Sequence, residues 1–204
     1  MKNILLPELQ ATIDGLDISS IAEHRKPVLH QLVDYIQQKL NSKESILLNF
    51  ICTHNSRRSQ FSQVWAQVAA YVYGFEASCY SGGTEATAFN ERAVASVKRA
   101  GFAVSQSGSG NPLYKVRYAD AMSLEMFSKI FDDDANPETG FAAVMTCSHA
   151  DENCPFIAGA DQRIPLRYED PKAFDNTDLE EEKYDERSIQ IATELFYVFS
   201  KLKG

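Results

Sequence analysis

The chain has 204 residues, 44% of them hydrophobic, and a formal net charge of −8, which suits one good core and little more. An acidic balance opposes general nucleic-acid binding, no apolar run approaches the roughly 20 residues of a membrane span, and Met-Lys-Asn-Ile-Leu-Leu-Pro at the start is too short an apolar stretch for a signal peptide. A cytoplasmic protein is expected, in surroundings that favour reactive thiols over structural disulfides.

Residues 1–45 read as a helical extension. Ser19 or Ser20 is expected to cap a helix whose stripe is Val28, Leu29, Leu32, Val33, Ile36 and Leu40, a 3.6-residue period. This helix should pack on a catalytic domain spanning 46–204, and the pattern leaves the oligomeric state open.

Ile46 to Ile51 then reads as a buried strand. Ser59 to Tyr73 carries apolar residues at Phe61, Val64, Trp65, Val68, Ala69 and Val72, a helical period. Between them stands Cys52-Thr53-His54-Asn55-Ser56-Arg57-Arg58-Ser59, a loop at a helix N-terminus. Unpaired N–H groups and the positive end of the helix dipole favour an anion there, and also a thiolate at Cys52. Arg58 can grip two oxygens in its planar fork. The Ser59 hydroxyl can donate to the sulfur, and Asn55 tolerates a left-handed turn. A thiol nucleophile and an oxyanion clamp at the two ends of one loop point to attack on a tetrahedral oxyanion.

Further along come a strand from Ala77 to Ser81, a helix from Asn90 to Ala100 and, at 112–140, an insertion. There Tyr114, Val116 and Tyr118, then Met126 and Phe127 to Phe131, suggest a β-hairpin, either an edge decoration or a flap at the pocket mouth. After it come a strand from Phe141 to Met145, a polar segment from Cys147 to Cys154, a short strand near Ile164 and a last helix from Asp185 to Leu202. Alternating units of this kind imply an α/β fold, a three-layer sandwich with a central parallel sheet. Cys79, alternating with Ala77 and Ser81 in its strand, reads as a packed thiol.

The motif Cys-Thr-x-Asn-Ser-x-Arg-Ser-Gln followed by an aromatic-containing helix resembles the phosphate loop of the low-molecular-weight protein tyrosine phosphatase superfamily. Thr146-Cys147-Ser-His-Ala-Asp-Glu-Asn-Cys154-Pro155 is similar to the segment of its thioredoxin-coupled arsenate reductases that carries two redox cysteines. Arg167-Tyr168-Glu169-Asp170-Pro171 resembles the loop that delivers a general acid. The resemblance covers about Ile46 to Lys203 apart from the insertion. It implies that Cys52 attacks arsenate held by Arg58 and the loop while Asp170 protonates the departing oxygen. Cys147 and then Cys154 would relay the oxidation to a disulfide that thioredoxin reduces. No tightly bound cofactor is implied, and the resemblance leaves open a potassium ion near Asn55 and Ser81, where Gln63 stands in place of a helpful carboxylate.

Three departures mark this chain: His54 replaces a usual glycine, so its side chain must point outward; Arg57 adds a second charge; and Lys172 follows Pro171 where phosphatases carry an aromatic residue, which favours a small inorganic oxyanion. The seven-residue spacing of Cys147 and Cys154, with His149 the only nitrogen ligand between them, does not match common zinc sites, so no metal is expected. In an ideal helix the two cysteines lie about 10.5 Å apart along the axis, whereas a disulfide needs Cα atoms within about 7 Å. The segment must therefore bend or unwind to bridge. Two alternatives remain at this point, a phosphotyrosine phosphatase and a non-enzymatic redox or anion sensor.

Overall fold

The structure, a computed structural model, describes residues 4–153 and 156–204. Its centre is a four-stranded sheet in the order β2-β1-β6-β7, built from β1 (Ile46–Cys52), β2 (Ala77–Gly83), β6 (Phe141–Met145) and β7 (Ala160–Ile164). Every pairing in it is parallel. All five residues of β6 are buried, as a strand covered on both faces requires, and this is why its sequence shows no alternation.

The two faces separate cleanly by side-chain parity. Ala142 and Val144 join the larger core with Leu48, Phe50, Trp65 and Leu195, under the long helices α3 (Arg58–Tyr73) and α6 (Glu180–Ser200). Phe141, Ala143 and Met145 point the other way, into a smaller cluster with Ile51, Cys52, Cys147 and Ala150, beneath the short helix α5 (Ser148–Asn153). Trp65 anchors the α3–α6 contact, its Nε1–H donating to Ser188 Oγ at 2.9 Å. Helix α4 (Glu91–Arg99) is capped by Asn90, whose side chain accepts from the amides of Arg92 and Ala93.

Several boundaries differ from the sequence pattern. The N-terminal region holds two helices, α1 (Pro7–Asp14) and α2 (Lys26–Ser42). Neither Ser19 nor Ser20 caps α2: its N-cap position is Arg25, and a proline lies in its first turn, where the fixed φ favours a helix start. Ser19 and Ser20 instead close a turn on Asp17. Leu9, Leu29, Leu32 and Ile36 are fully buried in the larger core. The last helix begins at Glu180, before the apolar stripe that marked it, with Glu180, Glu181 and Glu182 in its first turn, where acidic residues complement the helix dipole.

The insertion is more than a hairpin. Strands β4 (Leu113–Ala119) and β5 (Met122–Met126) form the expected antiparallel pair, but β4 also pairs with β3 (Ala103–Ser107). Ser105, Gln106 and Ser107 are exposed, so β3 carries little apolar signal. The residues from Phe127 to Phe131, read as strand, leave the hairpin and run to the central sheet, where Ile130 bridges Gly83 in parallel. Among the described residues no helix is long and apolar enough to cross a membrane.

Candidate active site

Cys52 is the last residue of β1 and sits opposite Gly83 of β2. The loop after it lies directly on the end of β2. A Cβ on Gly83 would fall 2.7 Å from both Asn55 N and Thr53 O, and one on Gly82 would fall 2.3 Å from Phe131 Cα, so backbone contact demands glycine at both positions. Asn55 takes the left-handed conformation, with φ 45°, as its place in the loop predicted. Helix α3 opens immediately afterwards with no side-chain cap from Arg57. Its first turn is thus left without a side-chain cap, an arrangement that suits an anion.

The thiol is held by a short chain of polar contacts. Asn55 Nδ2 donates to Ser59 Oγ at 2.9 Å, and Ser59 Oγ lies 3.1 Å from Cys52 Sγ. Arg58 reaches across to the Asp-Pro loop: Nη1 donates to Tyr168 O at 3.0 Å and Nη2 to Asp170 Oδ2 at 2.6 Å. Its Nε is buried with no hydrogen-bond partner among the described residues, leaving a donor for an incoming oxygen. Asp170 also accepts from Lys172 N at 3.0 Å, the Asx contact that starts the 3₁₀ turn Pro171–Phe174.

The second thiol borders the same loop. Cys147 is 1% exposed, its Sγ lies 3.5 Å from Thr53 Oγ1, and it accepts from Ala150 N at 3.3 Å. Thr53 Oγ1 is also 3.3 Å from His149 Nδ1. The segment beyond Cys147 is helical through Asn153, and Cys154 lies outside the described residues. Asp151 pins this helix: its buried carboxylate pairs with Arg163 of β7 and with Arg167, whose Nε donates to Oδ2 at 2.6 Å.

The remaining loop residues face outward or brace the frame. His54 is exposed, with Nε2 3.7 Å from Glu85, which meets the requirement that a side chain here point away from the loop. Ser56 Oγ donates to Ala88 O at 2.7 Å. Arg57 is engaged by the frame, its Nε donating to Tyr184 OH at 2.7 Å and its Nη2 lying 3.4 Å from Asp175. Burial and the hydrogen bond to Asp175 push the Tyr184 phenol up to about 12. Cys79 is buried and its thiol is pushed up by that burial, leaving it without the thiolate that chemistry needs.

Around Asn55 and Ser81 most side-chain oxygens already accept hydrogen bonds. Asn55 Oδ1 accepts from Lys129 N at 2.9 Å and Gln60 Nε2 at 3.3 Å, and Gln63 Oε1 accepts from Ser81 Oγ at 2.6 Å. The exception is Asn136 Oδ1, buried with no partner among the described residues, whose Nδ2 donates to Ser81 O at 3.1 Å; with no carboxylate among these oxygens, the donor set is a poor fit for a potassium cradle. Sequence reasoning missed Gln60, Asn111, Ser128 and Asp151. Gln60 alone carried a signal, since it follows Ser59 in the motif.

Two solved structures share this fold. A low-molecular-weight phosphotyrosine phosphatase of Vibrio cholerae superposes with a TM-score of 0.52 at 11% identity, over 76% of this chain and 95% of that one. A mutant of YwlE from Bacillus subtilis does so with a TM-score of 0.52 at 13% identity, over 78% and 100%. The architecture is thus that of the low-molecular-weight phosphatases. No protein-family model matches the chain, but curated relatives do. It is 30% identical to the arsenate reductase of Halalkalibacterium halodurans over 134 residues, 66% of this chain and 80% of the relative. It is 30% identical to that of Bacillus licheniformis over 143 residues, 70% and 84%. The chain belongs to the arsenate reductase family, on the fold of the low-molecular-weight phosphatases.

Proposed function

We propose that the protein reduces arsenate to arsenite by a three-cysteine relay. The observation that carries this reading is the position of Cys147, a second buried thiol that shares the hydroxyl of Thr53 with the loop that begins at Cys52. A phosphatase needs no such thiol.

The Cys52 thiolate attacks arsenic while Arg58, the loop amides and the start of α3 hold the oxygens. An As–O bond breaks, and Asp170 gives the departing oxygen its proton, so water leaves. Cys147 then attacks the Cys52 sulfur. The S–As electron pair stays on arsenic, which falls from As(V) to As(III), and arsenite leaves behind a Cys52–Cys147 disulfide. Cys154 exchanges into it, freeing Cys52 and forming Cys147–Cys154. The dithiol of thioredoxin takes up that disulfide and is oxidised in turn, closing the two-electron balance.

Hydrolysis of an aryl phosphate needs only Cys52, Arg58 and Asp170, so the two chemistries separate by experiment. Arsenate turnover with thioredoxin and its reductase is expected to exceed phosphotyrosine hydrolysis. Efficient phosphotyrosine hydrolysis without arsenate turnover would give first position to the phosphatase reading.

A further inference from the structure

The stretch that leaves the inserted hairpin is stitched to the oxyanion loop residue by residue. Gln60 Nε2 donates to Phe127 O at 3.1 Å, Ser128 Oγ to His54 O at 2.9 Å, and Lys129 N to Asn55 Oδ1 at 2.9 Å. Gly83 N donates to Lys129 O, and Phe131 N donates back to Gly83 O, each at 2.9 Å. Behind this, Asn111 braces Ser128 from both sides: its Nδ2 donates to Ser128 O at 2.7 Å, and its Oδ1 accepts from Ser128 N at 3.1 Å.

These contacts lead to the nucleophile. Asn55 holds a left-handed turn at φ 45°. Its Nδ2 sets the Ser59 hydroxyl, and that hydroxyl touches Cys52 Sγ. Fixing Asn55 Oδ1 from the far side fixes which way its amide points, and so the whole chain to sulfur. A bound cation could perform the same task on Asn55 Oδ1, but a backbone N–H already does. Among the described residues three nearby buried amide oxygens have no partner: Gln60 Oε1, and Asn49 Oδ1 and Asn136 Oδ1, whose own Nδ2 groups donate to Phe131 O. Three neutral oxygens on separate elements, with no carboxylate among them, fall short of the roughly six that a hard cation takes.

We propose that the segment Phe127–Phe131 orders the oxyanion loop in place of a monovalent cation, with Asn111 and Ser128 as positioning residues for Cys52. This rests on reading the loop as the oxyanion site. The insertion is then neither an edge decoration nor a flap, but the wall against which the loop is set.

The test measures inorganic phosphate binding by calorimetry and the pH profile of Cys52 alkylation by iodoacetamide, in wild type, Asn111→Ala and Ser128→Ala. Each is measured with potassium, sodium or tetramethylammonium at constant ionic strength. Wild type should bind phosphate equally, within about twofold, in all three salts. Both variants should bind it about tenfold more weakly, the loss of about one hydrogen bond's worth of order, and their alkylation profile should move to higher pH. Asn111 is exposed, so its variant stays informative if the buried Ser128→Ala fails to fold. Wild-type affinity and profile in Asn111→Ala would overturn the positioning role. A tenfold loss in wild type on removing potassium would overturn the replacement of the cation. A wild type that binds no phosphate in any salt would remove the oxyanion reading beneath both.

Discussion

Arg58 Nη2 is bonded to Asp170 Oδ2 at 2.6 Å, so the proposed oxyanion clamp and the proposed general acid hold each other before substrate arrives. An incoming anion must compete with that carboxylate for the guanidinium. Asp170→Asn should therefore bind inorganic phosphate more tightly than wild type, yet release poor leaving groups more slowly by about 10² to 10⁴. Single-turnover assays with a series of aryl phosphates check the second half. Equal loss for good and poor leaving groups would take Asp170 out of the proton-donor role.

Cys52→Ser and Arg58→Ala should each abolish both arsenate reduction and aryl phosphate hydrolysis, because nucleophile and clamp serve either chemistry. Arg58 also ties Tyr168 O, so thermal unfolding should accompany the assay to separate lost chemistry from lost structure. Turnover retained in purified, folded Cys52→Ser would relocate the site.

The site was legible where chemistry and local structure coincide. Cys52, Asn55, Arg58 and Ser59 sit on one strand-to-helix turn, so their spacing alone brings them together. Likewise the short apolar run Phe141–Met145 suits a strand buried on both faces. What stayed hidden depends on contacts distant in sequence. Ser128 meets His54 across 74 positions, and β3 joins the insertion through backbone pairing that polar Ser105 and Gln106 do not advertise. The cap of α2 was misread because Ser19 and Ser20 suit a turn as well as a helix start, and the choice was made by the proline in the helix's first turn.

Asp151 supplies a prediction about the helix that follows Cys147. Its carboxylate is 2% exposed and meets both Arg163 and Arg167, while the Asp-Pro loop has anchors of its own in Thr146 O, Arg58 and Arg25. Asp151→Asn should lower stability by about 1–3 kcal/mol, less than a fully buried pair since both guanidiniums reach water. It should slow arsenate turnover at least several-fold while aryl phosphate hydrolysis changes little. Equal slowing of both reactions would mean that the clamp serves the fold as a whole.

Lys129 gives a pH prediction. Burial lowers its ammonium to about 8, against a weaker opposing pull from Asp133. The unfolded chain, with an ordinary lysine value of about 10.5, then binds more protons between these limits, so this group's contribution to stability rises with pH from about 8 to about 10.5. Below about 8 its destabilising effect is complete. Lys129→Met should therefore be more stable than wild type at pH 7, and the gap should narrow by pH 10. Urea unfolding midpoints across that range check it, and a gap constant with pH would assign the difference to packing alone.

The relay itself is tested by the two distal thiols. Cys147→Ser and Cys154→Ser should stop multiple turnovers with arsenate but leave hydrolysis of aryl phosphates by reduced enzyme largely intact, since Cys52, Arg58 and Asp170 are untouched. In Cys154→Ser, one equivalent of arsenate should trap a Cys52–Cys147 disulfide, because the exchange that frees Cys52 is gone. Wild type without reductant should accumulate Cys147–Cys154 instead. For that bond the helix from Ser148 to Asn153 is expected to unwind, since two positions seven apart on an ideal helix lie about 10.5 Å apart along the axis and a disulfide needs about 7 Å or less. Loss of helical protection in hydrogen exchange should accompany oxidation. Peptide mapping by mass spectrometry identifies the bond in each case. Normal cycling of both variants with thioredoxin, or neither disulfide in wild type, would overturn the relay and leave hydrolysis as the chemistry of Cys52.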